Sequence, residues 1–139
     1  MAITQAMCTS FKSEILSGTH VIGTDVLKIA LYTSAATLSA ATTAYSTTDE
    51  VSGTGYTAGG ATLSGAAVSV SGTTAIVDFS DVVWTTATIT ARGALIYNSS
   101  KANKAIAVLD FGADKISSAG DFTIQFPVAD ASNAIVRIA

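Results

Sequence analysis

The sequence predicts a mainly β protein: an antiparallel two-sheet β-sandwich of jelly-roll-like topology with one short N-terminal helix. Three features predict it. The second half is a succession of short apolar stretches rich in Val, Ile and aromatic residues, separated by clusters of Gly, Ser, Asn and Asp. Only residues 1–18 carry a helical period. The chain has 139 residues, which suits a single domain spanning 1–139 and suffices to bury roughly two-thirds of the surface that its unfolded form exposes.

The elements follow in order. Ile3, Met7, Phe11 and Ile15 recur every four residues, so 1–18 reads as an amphipathic helix, with Thr4 at its start and Gly18 ending it in a left-handed turn. "DVLKIALYT" (25–33) alternates Leu27, Ile29 and Leu31 with Lys28, Ala30 and Tyr32, the pattern of a strand. From 34 to 65 the chain is Ala, Ser, Thr and Gly with little period, which predicts a long surface excursion with short paired stretches near Val51 and Leu63. "AAVSVS" (66–71) and "TAIVDF" (74–79) flank Gly72-Thr73 as a two-residue hairpin. "ATITARGALIYN" (87–98), "KAIAVLDFG" (104–112), "FTIQFP" (122–127) and "AIVRIA" (134–139) are the remaining strands, with turns between them.

Composition narrows the function classes. Hydrophobic residues make up 49% and charged residues 12%, about half the charged share of an ordinary domain. Mean hydropathy is +0.50. No run approaches the roughly 20 apolar residues that cross a bilayer, so no membrane partner is expected. A net charge of −3 with scattered basic residues argues against nucleic acid, whose phosphates demand clustered Lys and Arg. "MAITQAMCTS" lacks a basic segment followed by an apolar one, and the single Cys8 forms no internal disulfide, so folding in a cytoplasm is the expectation. Low charge with high apolar content fits a surface partly buried against other protein chains.

The candidate sites are few. "GTGYTAGG" (53–60) is rich enough in glycine to suggest a phosphate cradle, but no Lys-Ser/Thr pair, helix or preceding buried strand accompanies it. Loop glycines that permit close packing are the simpler reading. Asp78/Asp81 and Asp110/Asp114 are spaced as carboxylate pairs, for which turn chemistry or a salt bridge is an adequate account. His20 has no second histidine to complete a triad or zinc site and reads as a loop residue. Cys8 reads as packing. Arg92, in an apolar strand beside Gly93, needs a partner: Asp78 or Asp110 within the chain, or an acid of another chain. "NSS" (98–100) is a hairpin turn. No catalytic, cofactor-binding or metal residue is predicted, and no enzyme. Tyr32, Tyr45, Tyr56, Trp84 and Tyr97 show no spacing that builds one sugar-binding platform.

Two stretches carry a resemblance: "FKSEILSGTHVIGTDVLKIALYTSAATLSAATTAYSTTDEVSGTGYTAGGATLSG", and "TARGALIYNSSKANKAIAVLDFG" through "FTIQFPVADASNAIVRIA". Together they resemble small virion proteins of tailed bacteriophages over almost the whole chain, most of all the cement or decoration proteins on the outside of capsid shells. The resemblance implies a non-enzymatic role in which many copies bind the major capsid protein and stabilise the shell. It places the chain on the outer capsid surface of the virion, after assembly in the host cytoplasm. A tail-, neck- or fibre-associated virion protein is the second reading. Self-association as a homodimer or homotrimer is expected alongside. Contacts to other chains are expected through the loop residues Tyr45, Val51, Tyr56, Gly59 and Gly60, through Phe11 on the helix, and through Arg92.

Overall fold

The computed structural model describes residues 2–139. The elements are β1 (Ala6–Met7), α1 (Thr9–Leu16), β2 (Leu27–Tyr32), β3 (Ala61–Thr62), β4 (Ala67–Ser71), β5 (Thr74–Asp78), β6 (Val82–Asn98), β7 (Lys104–Ile124) and β8 (Val136–Ile138). They form two antiparallel sheets, ordered β1-β7-β6-β2-β3 and β4-β5-β8, with one short helix among the described residues. The mainly β prediction therefore holds. Val77, Phe79 and Val136 from the region of the smaller sheet join the same buried cluster as Leu31, Leu95 and Val108 of the larger, so both sheets share one core.

The β6–β7 hairpin is the spine of the larger sheet. Asn98 faces Lys104 across the turn 99–103, and pairing continues to Val82 opposite Ile124. β2 runs antiparallel to the second half of β6, from Leu27 opposite Asn98 to Tyr32 opposite Gly93. Between neighbours on both edges, β2 is buried on both faces from Ile29 to Tyr32, which explains why its apolar run extends beyond simple alternation.

The excursion 34–65 is tied back onto β2. The Val51 N–H donates to the Leu31 carbonyl and the Leu63 N–H to the Leu27 carbonyl, both at 2.9 Å. Paired stretches thus occur near Val51 and Leu63, as the sequence predicts, and residues 52–60 loop out between them. Thr54 bridges to Thr88, which lays that loop across β6.

Boundaries differ from the sequence reading in several places, and β6 for one begins at Val82 rather than at 87. The helix spans Thr9–Leu16 rather than 1–18, and Cys8, not Thr4, occupies the position before it. Upstream, the Thr4 N–H donates to the Leu38 carbonyl at 2.9 Å and Ala6–Met7 pair with β7 at Val108 and Ala107. The open edge of β7 supplies ladder partners that override the four-residue spacing of Ile3 and Met7. At the other end Gly18, with φ +75°, closes the helix as expected.

The turn expected between 112 and 122 is also absent, because "ADKISSAGD" lies within the continuous strand β7. The small and polar residues there serve bulges instead: the β6–β7 register shifts between Trp84 and Ala87, Ala87 and Ile89, and Ala91 and Gly93. Finally, the last strand is shorter than 134–139, spanning Val136–Ile138 on β5. The Gly72-Thr73 hairpin is as predicted, with Ser71 opposite Thr74.

Candidate functional site

The loop 45–60 is built around one carboxylate. Asp49 and Glu50 are the only charged residues between Lys28 and Asp78. Glu50 bridges to Tyr32 at the end of β2, which points its side chain at the loop that follows. Its Oε2 accepts the Tyr45 hydroxyl at 2.7 Å, and its Oε1 accepts the Tyr56 hydroxyl at 2.6 Å and the Gly59 N–H at 2.8 Å. The Tyr56 hydroxyl in turn accepts the Leu31 N–H at 2.9 Å.

The two other tyrosines complete the arrangement. Tyr97 of β6 donates to the Gly59 carbonyl at 2.7 Å and stacks on Tyr45 with ring centroids 4.7 Å apart. Tyr32 donates to the Ser46 carbonyl at 2.6 Å. All four tyrosines of the chain therefore spend their hydroxyls on this loop. Burial, followed by the hydrogen bond to Glu50, pushes the Tyr45 and Tyr56 hydroxyls far above the ordinary tyrosine range; burial also raises Tyr32 and Tyr97.

Gly60 fixes the far end of the loop. Its φ is +79°, and a Cβ there would overlap the Ile29 carbonyl, so only glycine fits against β2. The glycine-rich run does hold an anion through a backbone N–H, but that anion is the chain's own Glu50. The phosphate reading of "GTGYTAGG" has no place to put its ligand at Gly59.

Of the residues expected to contact other chains, Tyr45, Val51, Tyr56, Gly59 and Gly60 are brought together here. Val51 and Gly59 are buried, Tyr45, Tyr56 and Gly60 half-buried, and their polar groups face inward. What the loop shows to solvent is Ser46–Asp49, which carries one carboxylate, and the small, uncharged arc Ser52–Gly55 and Thr57–Ala58. Phe11 is a core residue at 1% exposure, because the apolar stripe of α1 faces the sheet. The exposed apolar residue of that helix is Leu16. Arg92 lies 3.7 Å from Asp110 and 3.8 Å from Asp114, so it takes acidic partners within its own chain.

A second polar cluster lies under α1. His20 is buried, with Nε2 3.0 Å from Glu14 Oε1 and Nδ1 3.0 Å from the Asn98 amide nitrogen. Asn98 donates to Asp25 at 2.7 Å while its Oδ1 accepts the Ser100 N–H, which fixes the amide orientation. His20 Nδ1 must then accept, leaving the proton on Nε2 for Glu14. The loop histidine of the sequence reading is thus a buried structural one. Both ring nitrogens are engaged, and Lys104 reaches the other Glu14 oxygen at 3.3 Å. Asn98 is fully buried.

The remaining candidates are structural in the same way. Asp81 accepts the Phe126 N–H and Asp110 the Gly112 N–H, both at 2.9 Å, which is turn and bulge chemistry. Cys8 is fully buried, and desolvation followed by the nearby Glu14 charge pushes its thiol up to about 11. Among the described residues, no group of three His, Cys, Asp or Glu is placed to hold a metal ion. Comparison of the chain with protein-family models, curated proteins and solved structures finds no match.

Sequence reasoning passed over Glu50. Its signal was isolation: one acidic pair in a long uncharged stretch crossed by three tyrosines. A carboxylate placed there needs donors, and tyrosine hydroxyls and loop N–H groups are the donors at hand.

Proposed function

We propose that the chain is a non-enzymatic virion structural protein of a tailed bacteriophage, a cement or decoration protein that binds the outside of the major capsid shell and stabilises it. The observation that carries this reading, beside the resemblance of "FKSEILSGTHVIG" and "TARGALIYNSS" and their surroundings, is the character of the exposed surface. Leu16 is 89% exposed, Ile116 74%, Val128 72% and Val70 71%, on a chain with 12% charged residues. Large apolar side chains left in water on a nearly neutral surface suit burial against other protein subunits.

Binding is the whole mechanism in this reading. Each copy that attaches to the assembled shell and not to free subunits shifts the equilibrium toward assembly, and bridging two neighbouring subunits multiplies the effect. The loop around Glu50 contributes by being ordered in advance. A contact made through Ser52–Gly55 loses little conformational freedom on binding, because the Glu50 and Tyr97 hydrogen bonds already hold the flanks.

The test is electron cryomicroscopy of capsids that lack the protein, imaged after incubation with it. Regular density over the outer shell is the expected result. Density confined to neck or tail transfers the assignment to a tail-, neck- or fibre-associated protein. Particles with no added density anywhere sink the virion reading in both forms.

A further inference from the structure

The strand edges of this fold are unequally protected. β1, β3 and β8 are edge strands of two, two and three residues, too short to template another strand. The outer edge of β7 beyond β1 is long, but it carries Asp110, Asp114, Lys115 and Asp121 and faces bulges in its pairing with β6. β4 has neither defence. It is a five-residue edge strand in unbroken register with β5, and Ala67 to Val70 are all exposed. No charged residue and no proline occurs from Ser64 to Val77.

Hairpin geometry says which groups are free. Ser71 and Thr74 close the two-residue Gly72-Thr73 turn and exchange both backbone hydrogen bonds, so Ser69 and Ala67, two and four residues back, also bond inward to β5. The N–H and C=O groups of Val68 and Val70 therefore point away from the sheet, and they take no other backbone partner. Their side chains lie on the face of Val77 and Val136, which are buried, yet Val68 is 57% and Val70 71% exposed. The smaller sheet overhangs its own core.

We propose that this edge pairs antiparallel with β4 of a second copy, about a two-fold axis passing beside Ser69. Three features select a second copy as the occupant. Only a strand satisfies a row of outward N–H and C=O groups. Val68-Ser69-Val70 reads the same in both directions, so antiparallel pairing sets Val68 against Val70 of the other copy and Val70 against its Val68, with Ser69 opposite itself. The seam is neutral, so two chains of net charge −3 meet where neither carries charge. The outward groups of both valines then form hydrogen-bonded pairs. Because the axis is perpendicular to the sheet, both cores lie on the same side and the four valines close into one apolar cluster between them. This goes beyond the shell-binding reading and does not depend on it.

In such a pair Ser69 occupies a non-hydrogen-bonded site, where facing Cα atoms lie about 4.5 Å apart, within reach of a disulfide. Ser69→Cys therefore reads the pairing directly, and buried Cys8 does not compete under native conditions. Under mild oxidation Ser69→Cys is expected to form disulfide-linked dimers about tenfold faster than Thr73→Cys at the exposed hairpin turn, since only the former is held in bonding geometry. Light scattering during size-exclusion chromatography is expected to show a concentration-dependent dimer that Val70→Lys disperses, with the circular dichroism spectrum unchanged. Equal cross-linking at 69 and 73 overturns the proposal. So does a wild-type chain that stays monomeric at every concentration, or a dimer that survives Val70→Lys.

Discussion

Glu50 Oε1 lies 2.6 Å from the Tyr56 hydroxyl, whose oxygen accepts the Leu31 N–H from the middle of β2. A loop carboxylate is thereby joined to the central sheet through one phenol. Removing the carboxylate strands three donors at once, the Tyr45 and Tyr56 hydroxyls and the Gly59 N–H. Glu50→Ala is expected to lower stability by about 2–4 kcal/mol and to open 45–60 to proteolysis. Glu50→Gln, which keeps two acceptor sites' worth of oxygen on one side only, is expected to lose about half as much. Urea titration followed by tyrosine fluorescence checks both, and an Ala variant as stable as the parent would remove Glu50 from the centre of the loop.

The tyrosines predict behaviour in alkali. Burial and then Glu50 raise their folded-state pKa values, so between the ordinary value near 10 and the folded values the unfolded chain sheds phenol protons that the folded chain keeps. Fewer protons on the unfolded side means that stability falls as pH rises, by about 1.4 kcal/mol per pH unit for each such tyrosine. Absorbance at the tyrosinate band is expected to stay flat through pH 10 and then rise in one cooperative step with unfolding. Four independent ionisations near the ordinary value would contradict it.

Acid acts at the other cluster. Asp25 is held below the usual carboxylate range by the Val21 N–H, then by Asn98, with Lys101 adding its charge. Burial works to raise Glu14, but hydrogen bonds from His20 and Lys104 together with Lys104's charge outweigh it and lower its pKa. Depressed carboxylates contribute stability that is present above their unfolded pKa and lost as pH falls through the folded one. The melting temperature is expected to hold from neutrality to about pH 4 and to drop below it. Asp25→Asn should flatten that acid limb; an unchanged slope would rule Asp25 out as a source.

Gly60 is the most sensitive single position in the loop. Gly60→Ala combines a left-handed φ with overlap on the Ile29 carbonyl, and a loss of about 3 kcal/mol or more is expected. Gly72→Ala, where an added Cβ meets nothing, is expected to cost about 1 kcal/mol from φ alone. Chemical denaturation of the pair separates strain from collision, and equal losses would show that Ile29 moves aside.

Much of the architecture is legible in the sequence. β2 and the β4–β5 hairpin announce themselves through apolar pattern and turn residues, because both are local signals. What escaped was set by distant partners. Ala6–Met7 are extended only because β7 passes beside them, and "ADKISSAGD" stays in a strand because β6 supplies partners through its bulges. The Glu50 cluster draws on residues from 31 to 97, so no short window contains it. Arg92 was the exception, since an arginine in an apolar strand declares its need for an acid, and Asp110 and Asp114 meet it.

The order of strands in the larger sheet also dictates when the protein can fold during synthesis. β2 must wait for residues 93–98 to be made before it meets its full-length partner, since β3 pairs with only Lys28 and Ile29, and Ala6 waits for Val108. A ribosome therefore releases most of this chain before the central sheet can close, and only the short β2–β3 pairing and the local β4–β5 hairpin are available early. Loop-closure entropy delays the rest, so folding is slow relative to a helical domain of this length and governed by how quickly β6 and β7 zip together once both exist. Until then the apolar stretch of β2 has only the two-residue β3 beside it, and a growing chain is exposed to aggregation at a segment that the finished fold buries on both faces from Ile29 to Tyr32.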